Sequence, residues 1–201
     1  MLKKILHRIV AIPLVYDLLQ TAVGARIIRK RLQKRLANVH KGALVVDIGG
    51  GTGLNRVLFD DHIRYVCLDN DSVKLHGFLQ KAVVGSPILG DAGKMPFPTS
   101  GVDVVICTAV IHHLPDEVLS AFVQEAFRIL NPNGQFVVFD PVWAPKRMAG
   151  RLLWKYDRGS FPRTPETLRT ALSKNGQVVH WDEFAVFHRY VIGIMNKNEA
   201  L

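Results

Sequence analysis

Apolar residues recur along most of this chain in short runs, and the runs alternate between the two-residue period of strands and the three-to-four-residue period of helices. ALVVDI (43–48) reads as a strand, followed by a glycine turn and a short helix from about Leu54 to Phe59. IRYVCLD (63–69) reads as a second strand, with a helix over Ser72 to Ala82 after it. SPILGD closes a third strand and VDVVICT (102–108) makes a fourth. PDEVLSAFVQEAFRIL (115–130) has a proline near its start and NPNG after its end, the punctuation of a helix. QFVVFD (135–140) predicts a fifth strand, a helix follows near Pro165 to Lys174, and VVHWDEFAVFHRYVIGIM offers two more strands or a hairpin. Aliphatic strands separated by helices imply an α/β fold: a doubly wound, mostly parallel sheet of seven strands with helices on both faces and a C-terminal antiparallel hairpin. Ligands of such sheets bind beyond the strand C-termini, where the strand order reverses.

The first strand runs into VVDIGGGTG (45–53), where four of the five positions from Gly49 to Gly53 are glycine. Glycine costs backbone entropy on folding, so an ordered cluster marks a sharp bend or a close approach to a ligand. A dinucleotide-binding GxGxxG starting at Gly49 would need glycine at position 54, where Leu54 stands. The pattern is instead Asp47-x-Gly49-x-Gly51-x-Gly53. Asp69 closes the second strand, 22 residues after Asp47, a position that suits a carboxylate accepting from both ribose hydroxyls of a nucleoside. Asp71 is the better placed of the two to cap the next helix. GDAGKMPF (90–97), VDVVICTAVIHHLPD (102–116) and RILNPNGQFVVFDP (128–141) complete the set.

In this order the segments resemble the class I S-adenosylmethionine-dependent methyltransferases, in particular small-molecule enzymes of the ubiquinone and menaquinone biosynthesis type, over about residues 43–141. The resemblance implies a Rossmann-like fold, S-adenosyl-L-methionine as cofactor and S-adenosyl-L-homocysteine as product. It makes Asp47, Gly49, Gly51, Gly53, Asp69, Asn70, Asp91, Ala92 and Thr108 the cofactor contacts, with Asp91 on the adenine amino group. The physics agrees: a glycine turn lets the backbone lie against the amino-acid part of the cofactor, and a helix N-terminus faces its carboxylate. The sulfonium arrives activated, so the protein's task is to align nucleophile, methyl and sulfur and to exclude water. His112 and His113 follow the fourth strand, and His113 is the first candidate for general base or substrate positioning, beside the alternative of a structural histidine. His188 and Tyr190 alternate along VFHRYVI and point to one face, as catalytic candidates or as ordinary sheet residues.

The chain reads as one domain of 201 residues, 48% of them hydrophobic and enough for one sizeable core. Within it, 1–41 is a basic amphipathic helical segment, 43–141 the cofactor core, 142–176 a substrate-selecting segment and 177–196 the last strands. PVWAPKRMAGRLLWKYDRGSFPRTP mixes Trp143, Trp154, Tyr156 and Phe161 with Lys146, Arg147, Arg151, Lys155, Arg158 and Arg163, which suits a flat or greasy acceptor bearing an anionic group. Single-stranded nucleic acid would fit too, but no RNA-binding module is recognisable, and the acidic signature of enzymes that methylate nucleic-acid amines is missing where TAVIHH stands. A small-molecule acceptor is preferred, with oxygen as the acceptor atom. An RNA methyltransferase, a noncatalytic cofactor-binding scaffold and a dehydrogenase-like nucleotide binder are the alternatives.

Charge adds one more feature. Residues 1–46 hold ten Lys and Arg against one acid, Asp17, so the whole formal net charge of +9 lies there. Ala25, Ile28, Leu32 and Leu36 recur at helical spacing, as in a helix that packs on the core and turns its cations to water. The same cations beside LKKILHRIVAIPLVYDLL also fit peripheral contact with an anionic membrane. No apolar run approaches the roughly 20 residues that span a bilayer, and no small-residue cleavage site follows the first apolar run, so the expected location is cytoplasmic. Cys67 and Cys107 sit inside aliphatic runs as small hydrophobes, and no metal site is expected.

Overall fold

The computed structural model describes residues 26–146, 154, 161–186 and 188–197. α1 (Arg26–Leu36) leads into β1 (Leu44–Ile48), a 3-10 helix (Leu54–Leu58), β2 (Arg64–Asp69), α2 (Ser72–Gln80), β3 (Ser86–Leu89) and β4 (Val102–Thr108). A second 3-10 turn (Ile111–His113), α3 (Asp116–Ile129), β5 (Leu130–Val142), α4 (Pro165–Leu172), β6 (Gly176–Ala185) and β7 (Arg189–Lys197) follow. The seven strands form one sheet in the order β3-β2-β1-β4-β5-β7-β6. β1 to β5 pair with one another in parallel, and β7 runs antiparallel to both β5 and β6. The fold class is the one expected, and the last two strands are the expected hairpin.

Strand alternation divides the core between two faces. On one face Val105 and Cys107 of β4 meet Phe122, Ala126 and Phe127 of α3 and Leu168 and Leu172 of α4. On the other, Val104 and Ile106 meet Leu32 and Leu36 of α1 and Leu75 and Phe78 of α2. α1 therefore packs by the apolar stripe read from its sequence, and its cations face outward. The part of that segment before Arg26 lies outside the described residues.

One element differs in kind. The helix expected at Leu54 to Phe59 is a 3-10 helix that ends at Leu58, where Phe59 N donates to Arg56 O at 3.2 Å. The buried Arg56 guanidinium explains the early stop. It donates to Val84 O and Phe59 O at 3.0 Å each, holding the chain where it turns back toward β2.

β1 lies between β2 and β4, so the strand order reverses beside it. The crevice of the sheet is therefore at the C-terminal ends of β1 and β4.

Candidate active site

The three alternating glycines turn the chain at the mouth of that crevice. Gly49, Gly51 and Gly53 have φ of +68°, +56° and +78°, the left-handed region in which a Cβ is penalised. Two of them are also tightly packed: a Cβ on Gly53 would lie 2.6 Å from the Phe78 ring, and one on Gly49 would run into Val110. Gly51 differs, since a Cβ there would meet nothing closer than Lys74 Cδ at 3.4 Å. Of the three, Gly51 is the least crowded, a Cβ there making only ordinary contact with Lys74 and Asp69.

Asp47 lies beneath the turn, fully buried. It accepts from the Tyr65 hydroxyl and from Asn55 Nδ2, which is 3.1 Å from each carboxylate oxygen. The same amide nitrogen donates to Thr108 Oγ1 at 2.8 Å, tying β1 to the end of β4 across the crevice. Burial pushes the Asp47 carboxyl up to about 7, although the bonds from Tyr65 and Asn55 oppose the shift. With no accessible surface, Asp47 braces the turn from beneath.

Asp69 ends β2 and is buried. Its Oδ2 accepts from Gly51 N and its Oδ1 from Asp71 N, both at 2.9 Å. A carboxylate has about four acceptor sites, so two remain for hydroxyl donors. Asp71 caps α2 as expected, accepting from Val73 N at 2.9 Å and Lys74 N at 3.2 Å. Asn70 is exposed between them. Leu89 of β3 is in register with Asp69. Asp91 and Ala92 follow just beyond, with Asp91 Oδ1 accepting from Gly93 N at 2.8 Å. The nine residues singled out in the sequence thus gather at the C-terminal ends of β1 to β4.

A second cluster stands on the same rim beyond β4 and β5. Ala109, at φ +54°, bends the chain into the 3-10 turn that carries both histidines. His112 is buried, its Nδ1 3.1 Å from Oδ1 of the buried Asp140. Burial raises the Asp140 carboxyl above its usual range against the lowering effect of His112. His113 is exposed, its ring 4.0 Å from that of His112. The Trp154 ring meets His112 edge-on at 5.8 Å and His188 at 5.3 Å, and stands 6.4 Å from Trp143. Tyr190 shares the His188 face at 5.8 Å but stacks on Phe139 at 5.1 Å within the core. Beside Trp143 a groove of about 610 Å³ opens, its wall including Lys146, Phe184 and Arg189.

Arg163 corrects the reading of the basic stretch. It is not an open cation for an acceptor: its guanidinium donates to Asp116 Oδ1 at 2.6 Å, Leu114 O at 2.7 Å and Ile111 O at 3.1 Å, clamping the turn that bears His112. Tyr156, Arg147, Arg151, Lys155 and Arg158 lie outside the described residues. Asn55, Tyr65 and Asp140 were missed in the sequence. Of these, Asp140 left a trace, as the acid that interrupts the apolar run QFVVFD.

Residues 46–138 match the methyltransferase domain family. This stretch is a class I methyltransferase domain. The chain is 28% identical over 162 residues to a ubiquinone/menaquinone biosynthesis C-methyltransferase of Paraburkholderia phymatum, covering 75% of this chain and 63% of that one. It is 32% identical over 108 residues to the chloroplastic 2-methyl-6-phytyl-1,4-hydroquinone methyltransferase 1 of rice, covering 51% and 32%. The chain therefore spans between about a third and under two thirds of the length of these curated relatives. Among solved structures, the PH0226 protein of Pyrococcus horikoshii superposes with a TM-score of 0.70 at 17% identity, covering 85% of this chain and 91% of that one. A SAM-dependent methyltransferase of Aquifex aeolicus gives 0.66 at 16%, covering 84% and 89%. At these identities the structures establish the fold.

The family implies S-adenosyl-L-methionine, and the methyltransferase domain has features that fit it. Asp69 keeps acceptor capacity at the crevice, and Gly51, the least crowded of the alternating glycines, adjoins it, Asp69 Oδ2 lying 3.8 Å from where a Cβ would be.

Proposed function

We propose that this chain methylates a small, hydroxylated aromatic acceptor, with the cofactor on the Gly49–Gly53 turn and the acceptor ring against the cluster of Trp143, Trp154 and His112. The observation that carries the acceptor half is the buried His112–Asp140 pair, set under Trp154 on the rim that also bears the glycine turn. In this reading Asp69 receives the ribose hydroxyls, Asn70, Asp91 and Ala92 border the adenine, and Thr108 closes the crevice toward the acceptor. Bound cofactor supplies an activated methyl group on a sulfonium.

The chain's own residues supply alignment and a base. Asp140 accepts from His112 Nδ1–H and so fixes the tautomer in which Nε2 is basic. His112 Nε2 takes the proton of the acceptor hydroxyl, leaving a phenolate whose charge extends to the ring carbons. Methylation at oxygen, the expectation from the sequence, and at ring carbon both follow from that phenolate. Carbon is favoured because relatives include a C-methyltransferase and a hydroquinone methyltransferase. After methylation at carbon, water takes the ring proton to restore aromaticity, and His112 returns its own proton to the phenolate oxygen.

Calorimetric titration with S-adenosylhomocysteine, with NAD as control, tests the cofactor half. Binding of the former alone is expected, and binding of neither by folded protein would sink the reading. Turnover of short-chain prenylated hydroquinones with labelled cofactor tests the acceptor half, and NMR of the product assigns the methylated atom.

A further inference from the structure

α1 carries six cations, Arg26, Arg29, Lys30, Arg31, Lys34 and Arg35, and no acid. Among the described residues, Arg31 alone of these is in an ion pair, 2.7 Å from Asp182 Oδ2, with its guanidinium 4.4 Å over the Phe184 ring. Arg26, Arg29, Lys30 and Lys34 are exposed and face outward. Between α1 and β6 runs a groove of about 340 Å³, lined by Ile27, Lys30, Arg31, Lys34, Arg35 and Asp182. It is a cationic trough with one aliphatic lip, Ile27, which is 51% exposed.

Aliphatic exposure continues beside it. Gln33 Nε2 donates to Val57 O at 3.3 Å, fastening α1 to the 3-10 helix after the glycine turn. On that helix Leu54 and Val57 are 62% and 52% exposed. The location is informative too. α1 leads into the N-terminal end of β1, so its own N-terminal end lies toward the opposite, C-terminal rim. Phe184, under Arg31, also lines the groove that opens beside Trp143.

We propose that the outer face of α1, together with Ile27, Leu54 and Val57, docks this chain on an anionic bilayer surface, with lipid phosphates seated in the α1–β6 groove. Cations meet phosphates at the surface while the aliphatic side chains enter the headgroup boundary. Single-stranded nucleic acid would answer the charge equally, but it is held by stacking on aromatic rings, and the large exposed side chains of this patch are aliphatic. The proposal stands apart from methyl transfer, and the two fail separately.

The test is sedimentation of the full chain with phosphatidylcholine vesicles, with and without phosphatidylglycerol. Binding is expected to require the anionic lipid and to disappear in high salt. Lys30→Gln with Lys34→Gln lowers partitioning about 25-fold, at about fivefold for each cation lost. Ile27→Gln with Val57→Gln lowers it as well, while leaving the affinity for a single-stranded oligonucleotide unchanged. Unchanged calorimetry with S-adenosylhomocysteine verifies that each variant is intact. Equal partitioning onto pure phosphatidylcholine, no loss in the lysine pair, or displacement from vesicles by equimolar oligonucleotide would each overturn the proposal.

Discussion

The two halves of the rim are built in opposite ways. Around β1 to β3, the turn and the carboxylates beneath it lie within one short stretch and its neighbouring strand ends. Asp47, Gly49, Gly51 and Gly53 are spaced by two, and Asp69 is fastened straight to Gly51 N. Around β4 to β7 the cluster draws on His112, Asp140, Trp143, Trp154 and His188, brought together by strand pairing and by the Arg163 clamp. A ligand shared by a whole family can be met by backbone conformation, which a few glycines encode locally. An acceptor particular to one branch must be met by side chains, which the topology gathers from distant positions.

If that contrast is right, the acceptor half can be emptied of chemistry without touching the cofactor half. His112→Ala is expected to lower kcat by about 10²–10⁴, the usual contribution of a general base, with S-adenosylhomocysteine affinity unchanged by calorimetry. Asp140→Asn should act in the same direction through the wrong tautomer of His112 and should shift the pH–rate profile. Loss of cofactor binding in either variant would merge the two halves and break the comparison.

Asp47 sharpens it through pH. Burial holds its carboxyl at about 7 in the folded chain against its ordinary 3.8. Below about pH 4 both folded and unfolded forms are protonated, and nothing is lost. Between about 4 and 7 the unfolded chain releases the proton while the folded chain keeps it, so stability falls by about 1.4 kcal/mol per pH unit and levels off above. Urea unfolding across this range should show the slope in the wild type and a flatter profile in Asp47→Asn. Parallel profiles would mean that Asp47 is ionised in the fold at acid pH.

Legibility followed the same division. The glycine turn could be read because left-handed backbone is a local demand that few residues satisfy. Asp71 was legible as a cap because capping reaches two or three residues. The strands could be read from period-two aliphatics, but the 3-10 character of Leu54–Leu58 depends on Arg56 reaching Val84 O, 28 positions away. His112 and Asp140 are also 28 positions apart, and Arg163 is 47 from Asp116. No window along the sequence contains such pairs. Which of His112 and His113 is buried could not be read for this reason: the neighbours look alike in sequence, and the Asp140 partner on β5 lies far along the chain.

Arg163 tests whether the acceptor half depends on this long-range bracing. Its guanidinium serves the carbonyls of Ile111, Leu114 and Phe161 besides the mostly exposed Asp116. Arg163→Ala leaves those carbonyls without their donor and is expected to cost about 3 kcal/mol. Arg163→Lys should recover little, because an ammonium cannot reproduce the planar fork. Chemical denaturation measures both. A loss below about 1 kcal/mol in Arg163→Ala would show that the His112 turn holds without the clamp.

The finest cut lies within the glycine turn itself. All three alternating glycines are left-handed, so an alanine at any of them carries a strain of about 1 kcal/mol. At Gly53 the new Cβ also meets the buried Phe78 ring, which brings the expected loss to about 3 kcal/mol. At Gly51 it makes only ordinary van der Waals contact with Lys74 and Asp69, so stability should fall by about 1 kcal/mol. Yet Gly51→Ala should weaken S-adenosylhomocysteine binding more than Gly53→Ala does, because the added Cβ would lie 3.8 Å from Asp69 Oδ2, where the proposal seats the ribose. Thermal unfolding and calorimetry on the two variants give four numbers. If binding instead tracks stability, weakest in Gly53→Ala, the turn acts as one rigid unit and the ligand does not lie against Gly51.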